Sequence, residues 1–139
     1  MPQKYVKKIL DARIYDLAIE TPVDAAPLLS KRLNNTVLLK REDLQPVFSF
    51  KLRGAYNKLR QLSKVERTGG VIAASAGNHA QGLALAAQKI GVDATIVMPK
   101  TTPRIKVDAV RGWGAKVILF GDNYNAAAEH ANQLVAEEG

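Results

Sequence analysis

Two short segments carry side chains whose types and spacing could do chemistry together. The first is Ser49-Phe50-Lys51-Leu52-Arg53-Gly54-Ala55, which puts one lysine behind an aromatic ring and just ahead of a helix. The second is Ser75-Ala76-Gly77-Asn78-His79-Ala80-Gln81-Gly82, one strand further on. A lysine amine can form a Schiff base with an aldehyde. A loop of small residues running into a helix N-terminus offers backbone N–H groups to an anion such as a carboxylate. A cation at that end of a helix opposes the dipole. The dipole and the neighbouring Arg53 would favour the uncharged amine that Schiff-base formation needs. Each segment also has a plainer reading. Lys51 reads as a surface lysine near a helix start, and Ser75 to His79 as a tight turn with Ser75 or Asn78 capping the helix. His79 reads as a satisfied structural histidine.

The elements that must position these segments follow from periodicity. Val6, Ile9, Leu10, Ile14 and Leu17 put one apolar stripe on a helix from Tyr5 to Ala18, ended by Thr21-Pro22. A short helix is expected from about Asp24, as its cap, to Leu33. Asn34-Asn35 turns the chain into a strand, Thr36 to Lys40. After Lys51 the pattern becomes regular. Helices are predicted over Gly54–Leu62, Asn78–Ile90, Pro103–Gly112 and Tyr124–Val135, and strands over Val71–Ala74, Ala94–Val97 and Lys116–Leu119. The buried stripe of the last helix reads Tyr124, Ala127, Ala128, Ala131, Leu134 and Val135. Strands alternating with helices of this length mean βαβ units: an α/β fold with a parallel sheet and flanking helices, joined by right-handed crossovers. The loop from Ser75 then lies at the carboxyl end of a parallel strand, the edge where open α/β sheets bind ligands. No strand follows the last helix, so the fold is expected to be incomplete at the C-terminus.

Composition narrows the class. The 139 residues suffice for a domain with a real core, and 47% apolar with 24% charged residues argues against disorder. The formal charge is +7, but the basic residues are scattered, and four tyrosines, three phenylalanines and one tryptophan leave little to stack on bases. Solvated surface charge is therefore the reading, with no nucleic-acid partner expected. A positive field would also suit a phosphorylated cofactor and a carboxylate substrate. There is no cysteine for a disulfide or thiol catalysis, and two histidines make no zinc site. No apolar run is long enough for a membrane span, and cytoplasm is the default. Asn34-Asn35-Thr36 matches a glycosylation acceptor but reads as a turn. Gly112-Trp113-Gly114 follows a helix and precedes a strand, the wrong direction for a phosphate loop, and Gly112 reads as a helix stop. Glu42-Asp43, read as strand neighbours, point to opposite faces and make no acid–base pair.

Lys40-Arg41-Glu42-Asp43-Leu44-Gln45-Pro46-Val47-Phe48-Ser49-Phe50-Lys51-Leu52-Arg53-Gly54-Ala55-Tyr56 resembles the cofactor-lysine segment of serine/threonine dehydratases. These are pyridoxal phosphate (PLP) enzymes of fold type II, the tryptophan synthase β-like group. Ala74 to Gly82 resembles that family's asparagine loop. Ile105-Lys106-Val107-Asp108-Ala109-Val110-Arg111 followed by Gly114-Ala115 also fits. The similarity runs from about Ile9 to the last residue and leans toward the biosynthetic, threonine-deaminating branch that opens isoleucine synthesis.

The resemblance implies that Lys51 holds pyridoxal 5'-phosphate, that Phe50 packs against its ring, and that Asn78 hydrogen-bonds its phenolic oxygen. It implies that Ser75, Ala76, Gly77 and His79 hold the substrate carboxylate; His79 separates dehydratases and racemases from the cysteine synthase branch, which usually has threonine there. The implied reaction is β-elimination of L-threonine or L-serine to 2-oxobutanoate or pyruvate and ammonia. Residues 1–52 are expected to pack on the larger PLP domain, and 53–139 to form a smaller open α/β domain. The family's tetraglycine phosphate loop and the partner of the pyridine nitrogen come later in the family's chains. This chain is therefore expected to be an incomplete part of the enzyme, inactive alone, with the full-length protein a homo-oligomer. Serine racemase, a catabolic dehydratase, or an inactive binding module on the same fold are the alternatives.

Overall fold

A computed structural model describes the backbone of residues 2–138 and the side chains of residues 3–137. The first helix, α1 (Pro2–Asp11), is amphipathic, yet Tyr5, Val6, Ile9 and Leu10 on its apolar stripe are all more than half exposed. It ends well short of Ala18, and a 3-10 turn at Ile14–Asp16 follows. Tertiary packing overrides the periodicity here: Leu17 and Ala18 join the main core, and the helix breaks before them. Strand β1 (Val23–Ala25) then precedes α2 (Pro27–Leu33), and β2 (Leu38–Lys40) returns antiparallel to β1 with Val23 opposite Lys40. Asp24 therefore lies in a strand and is not a helix cap; its carboxylate accepts from Arg41 Nη1 at 2.6 Å. Asn34 closes α2 in the left-handed conformation, as the turn at Asn34-Asn35 requires.

From Lys51 onward the expected alternation holds. Helix α3 (Lys51–Gln61) begins at the lysine itself, and a short α4 (Lys64–Thr68) follows it. Then come β3 (Val71–Ala74), α5 (Asn78–Ile90), β4 (Ala94–Met98), α6 (Arg104–Gly112), β5 (Lys116–Leu119) and α7 (Tyr124–Glu138). The three strands form a parallel sheet in the order β3-β4-β5, with Ala73 opposite Ile96 and Val97 opposite Ile118. Strand alternation sorts the core into two faces. Ile96 and Met98 meet α3, α5 and α6 through Leu52, Leu59, Leu83, Ala84, Val107 and Val110. Val97 points the other way, onto Ala127 and Ala131 of α7. The sheet edges of α7's stripe are less buried than its spacing predicts, with Tyr124 59% and Val135 49% exposed. The helix stop after α6 also shifts: Gly112 is still helical, and the left-handed residue is Gly114 at φ +83°. Among the described residues no helix is long and apolar enough to cross a membrane, and no cluster of three potential metal ligands occurs.

Candidate active site

Lys51 is held by its backbone and free at its tip. Leu52 beside it is fully buried and anchors the first turn of α3 in the main core. The Lys51 N–H donates to Ser49 Oγ at 3.0 Å, and Ser49 is itself buried. Before that, Phe48 N–H donates to the Gln45 carbonyl at 2.8 Å, and Phe48 adopts φ +54°, a left-handed backbone in which a phenylalanine is rare. The Lys51 side chain is exposed, makes no ion pair among the described residues, and places Nζ 4.8 Å from the centroid of the Phe50 ring. Phe50, the residue that caps α3, is 57% exposed.

The second segment leaves the sheet where β3 ends. Ser75 N–H continues the ladder to the Val97 carbonyl at 3.1 Å, and Gly77 N–H reaches Ser75 Oγ at 3.4 Å. Gly77 is the N-cap of α5, and among the described residues no side chain caps that helix. The expected caps are thus corrected: Ser75 Oγ serves Gly77, and Asn78 already lies inside the helix. An uncapped first turn keeps N–H donors and the positive end of the dipole available to an anion. Around Gly77 the space is open, since an added Cβ there would meet nothing within 4 Å. Asn78 and His79 are both exposed. His79 has no hydrogen-bond partner among the described residues, so it is not the satisfied structural histidine expected. It borders a mostly apolar cavity of about 260 Å³ with Gly54, Lys58, Leu62, Ala73 and Leu83.

Gly82 joins the two segments. A Cβ on it would stand 2.8 Å from Leu52 N and 3.0 Å from the Lys51 carbonyl carbon, so the first turn of α3 lies directly on α5. Gly82 is four residues after Asn78, hence on the same face of α5. The fold therefore lays the Lys51 backbone across the face of α5 that carries Asn78.

Behind the lysine lies an ion pair that pattern reading passed over. Glu42 sits in a 3-10 turn (Glu42–Leu44), not a strand. Its carboxylate accepts two bonds from Arg53, from Nε at 2.7 Å and Nη2 at 2.8 Å, and one from Thr21 Oγ1 at 2.7 Å. Gln45 Nε2 adds a longer contact at 3.3 Å. The Arg53 hydrogen bonds, helped by Thr21, hold the Glu42 carboxyl down to about 2 against the opposing effect of burial. Arg53 is correspondingly raised, so its charge is compensated by Glu42, which weakens the influence on the Lys51 amine expected from its nearness in sequence. Asp43 points elsewhere, to a bidentate pair with Arg41 that keeps its carboxyl below the ordinary range.

The residues present suit the group that the resemblance implies. An amine with no ion pair among the described residues suits an aldehyde, the exposed Phe50 ring would suit a flat heterocycle, the Asn78 amide a ring oxygen, and the start of α5, capped by no described side chain, a carboxylate. Gly82, Ser49 and Glu42 complete the arrangement.

Comparison with known proteins finds relatives over nearly the whole chain. The family model described as "Pyridoxal-phosphate dependent enzyme" matches residues 14–139. The biosynthetic, chloroplastic threonine dehydratase of Arabidopsis thaliana is 57% identical over 136 residues, 98% of this chain and 23% of its own length. The L-threonine dehydratase biosynthetic IlvA of Burkholderia multivorans is 56% identical over 138 residues, 97% of this chain and 27% of that protein. The structure of the processed form of threonine deaminase isoform 2 from Solanum lycopersicum superposes with a TM-score of 0.93 at 53% identity, covering 98% of this chain and 38% of that one. The chain spans about a quarter of the length of these curated relatives. The match takes in Lys51, the turn into α5 and the whole parallel sheet, and the chain belongs to the pyridoxal-phosphate dependent enzyme family, in its fold-type II form.

Proposed function

We propose that these residues supply the lysine half of a site for pyridoxal phosphate-dependent β-elimination, acting on L-threonine, or L-serine, to give 2-oxobutanoate, or pyruvate, and ammonia. The observation that carries the reading is the contact at Gly82, which lays the backbone of Lys51 on a helix whose N-terminus no side chain among the described residues caps. When bound, the cofactor supplies an aldehyde for the amine and a conjugated ring that draws charge from the substrate Cα. Lys51 Nζ would hold the cofactor and, as a free amine, would take the Cα proton. Asn78 donates to the ring oxygen. Ser75, Ala76, Gly77 and His79 would form the turn that holds the substrate carboxylate, with Ser75 N–H spent on the Val97 carbonyl and the N–H groups at the start of α5 left to the anion. Net loss of the Cα proton and the β-hydroxyl as water would give an enamine, which takes up water to yield the 2-oxo acid and ammonia.

The same proposal covers the rest of the reading. Residues 1–52 pack on a larger domain, supported by the exposed Val23, Leu28, Leu33 and Leu38. Residues 53–139 form the smaller α/β domain. The complete enzyme is a homo-oligomer with small-molecule partners, without nucleic-acid or membrane partners. Its location is the cytoplasm, whereas the plant relatives are chloroplastic.

Two measurements test it. Incubating the chain with the cofactor, reducing with borohydride and mapping peptides by mass should place a pyridoxyl group on Lys51, with Lys51→Ala losing it. Replacing the matching segment of the Arabidopsis dehydratase with these residues should preserve 2-oxobutanoate formation from threonine, and Lys51→Ala in the chimaera should abolish it. Label spread evenly over the surface lysines, or a chimaera that turns over without Lys51, would sink the reading.

A further inference from the structure

We propose that Glu42 is a positioning residue for Lys51: by gripping Arg53 it fixes the first helical turn from which the amine projects. The inference rests on the reading of Lys51 given above. Glu42 and Arg53 bracket the lysine in sequence, and their two-pronged pair at 2.7 and 2.8 Å closes residues 43–52 into a ring. Both partners are mostly buried, with 16% of the Glu42 and 20% of the Arg53 side chain exposed. Bidentate geometry of this kind fixes orientation as well as distance.

Arg53 follows Lys51 by two residues, and residues so spaced do not share a helix face. The grip therefore acts on the side of α3 away from the amine and occupies none of the space that the amine needs. It also reaches a separate anchor. Glu42 accepts from buried Thr21, and Gln45, buried beside it, exchanges two bonds with the Ile19 backbone, accepting at 3.0 Å and donating at 2.8 Å. Arg53 Nη2 touches the Ile19 carbonyl as well, at 3.3 Å. The first turn of α3 is thus held from two directions, by α5 at Gly82 and by the 19–21 and 42–45 segments through Glu42. With Glu42 neutral, the second hold loses its charge and the buried guanidinium loses its partner. The turn can then shift against α5, and reactions at a positioned amine are sensitive to shifts of that size.

A purely structural brace would alter stability alone, so the test reads reactivity. Glu42→Gln, Glu42→Asp and the parent chain are brought to the same folded fraction by circular dichroism, then treated with pyridoxal phosphate and borohydride. Labelling rates at Lys51 are divided by those at the exposed Lys64 and Lys116. Glu42→Gln should lower the ratio about 10-fold, and Glu42→Asp, which keeps the charge on a shorter stem, should recover part of it. Amide hydrogen exchange at Leu52 and Arg53 should quicken in Glu42→Gln. An unchanged ratio in folded Glu42→Gln overturns the proposal. Should that variant not fold, an unchanged ratio in Arg53→Lys overturns it equally. A parent chain that shows no preference for Lys51 overturns the lysine assignment itself, which the variants then cannot rescue.

Discussion

Gly82 contributes to the site through the side chain it lacks. The atoms that an added Cβ would strike, Leu52 N at 2.8 Å and the Lys51 carbonyl carbon at 3.0 Å, are backbone, and no rotamer change can relieve the overlap. Helix propensity alone would favour alanine at this mid-helix position by about 1 kcal/mol. The packing argument predicts the opposite sign: Gly82→Ala should destabilise the chain by about 1–3 kcal/mol in a urea titration and slow labelling of Lys51. A stabilised Gly82→Ala would mean that α3 does not rest on α5 as described. At this scale the sequence singled out Lys51 and the turn into α5 as candidates, because an amine before a helix and a run of small residues are recognisable types. It did not disclose the Glu42–Arg53 pair. Two opposite charges eleven residues apart are too far along any single helix or strand to meet, and only the fold brings them together. Nor does any local signal announce a left-handed Phe48, since that conformation normally calls for glycine or asparagine.

The elements divide by length. Helix α5 and the three parallel strands begin where the pattern places them, because thirteen residues of periodic spacing, or an apolar run bounded by glycines, carry enough signal. Strand β2 falls within the run expected from Thr36 to Lys40, but β1 has three residues, too few for an alternation to register, and their antiparallel pairing goes unseen. Helix α4 was readable by its end chemistry. Ser63-Lys64-Val65-Glu66 forms a capping box, Ser63 Oγ accepting from Glu66 N–H at 3.2 Å and Glu66 accepting from Ser63 N–H at 2.7 Å. That box keeps the Glu66 carboxyl below its ordinary range. Ser63→Ala should cost about 1 kcal/mol in a thermal melt, with local loss of amide protection over 64–68 and no change in labelling at Lys51.

For the whole molecule, acid is the informative stress. Glu42, Asp43 and Glu66 all titrate below their ordinary values when folded, Glu42 furthest, because each accepts hydrogen bonds that favour its charged form. A depressed folded value means that the unfolded chain binds protons first as pH falls. The associated stability is complete above about pH 4.5 and is lost progressively down to about pH 2. Protonation also increases a formal charge that is already +7 at neutrality, which adds self-repulsion. The midpoint of urea unfolding should therefore hold steady from pH 7 to 5 and drop below pH 4.5. In Glu42→Gln the drop should be shallower, from a lower plateau; a parallel drop would assign the acid sensitivity to other groups.

The backbone contact at Gly82 also limits how this molecule can adapt to a ligand. Two helices that touch main chain to main chain cannot slide past one another without collision. Any adjustment on ligand arrival must therefore carry α3 and α5 together, as one body turning about the loops at either end, and the Lys51 backbone and the start of α5 travel at a constant separation.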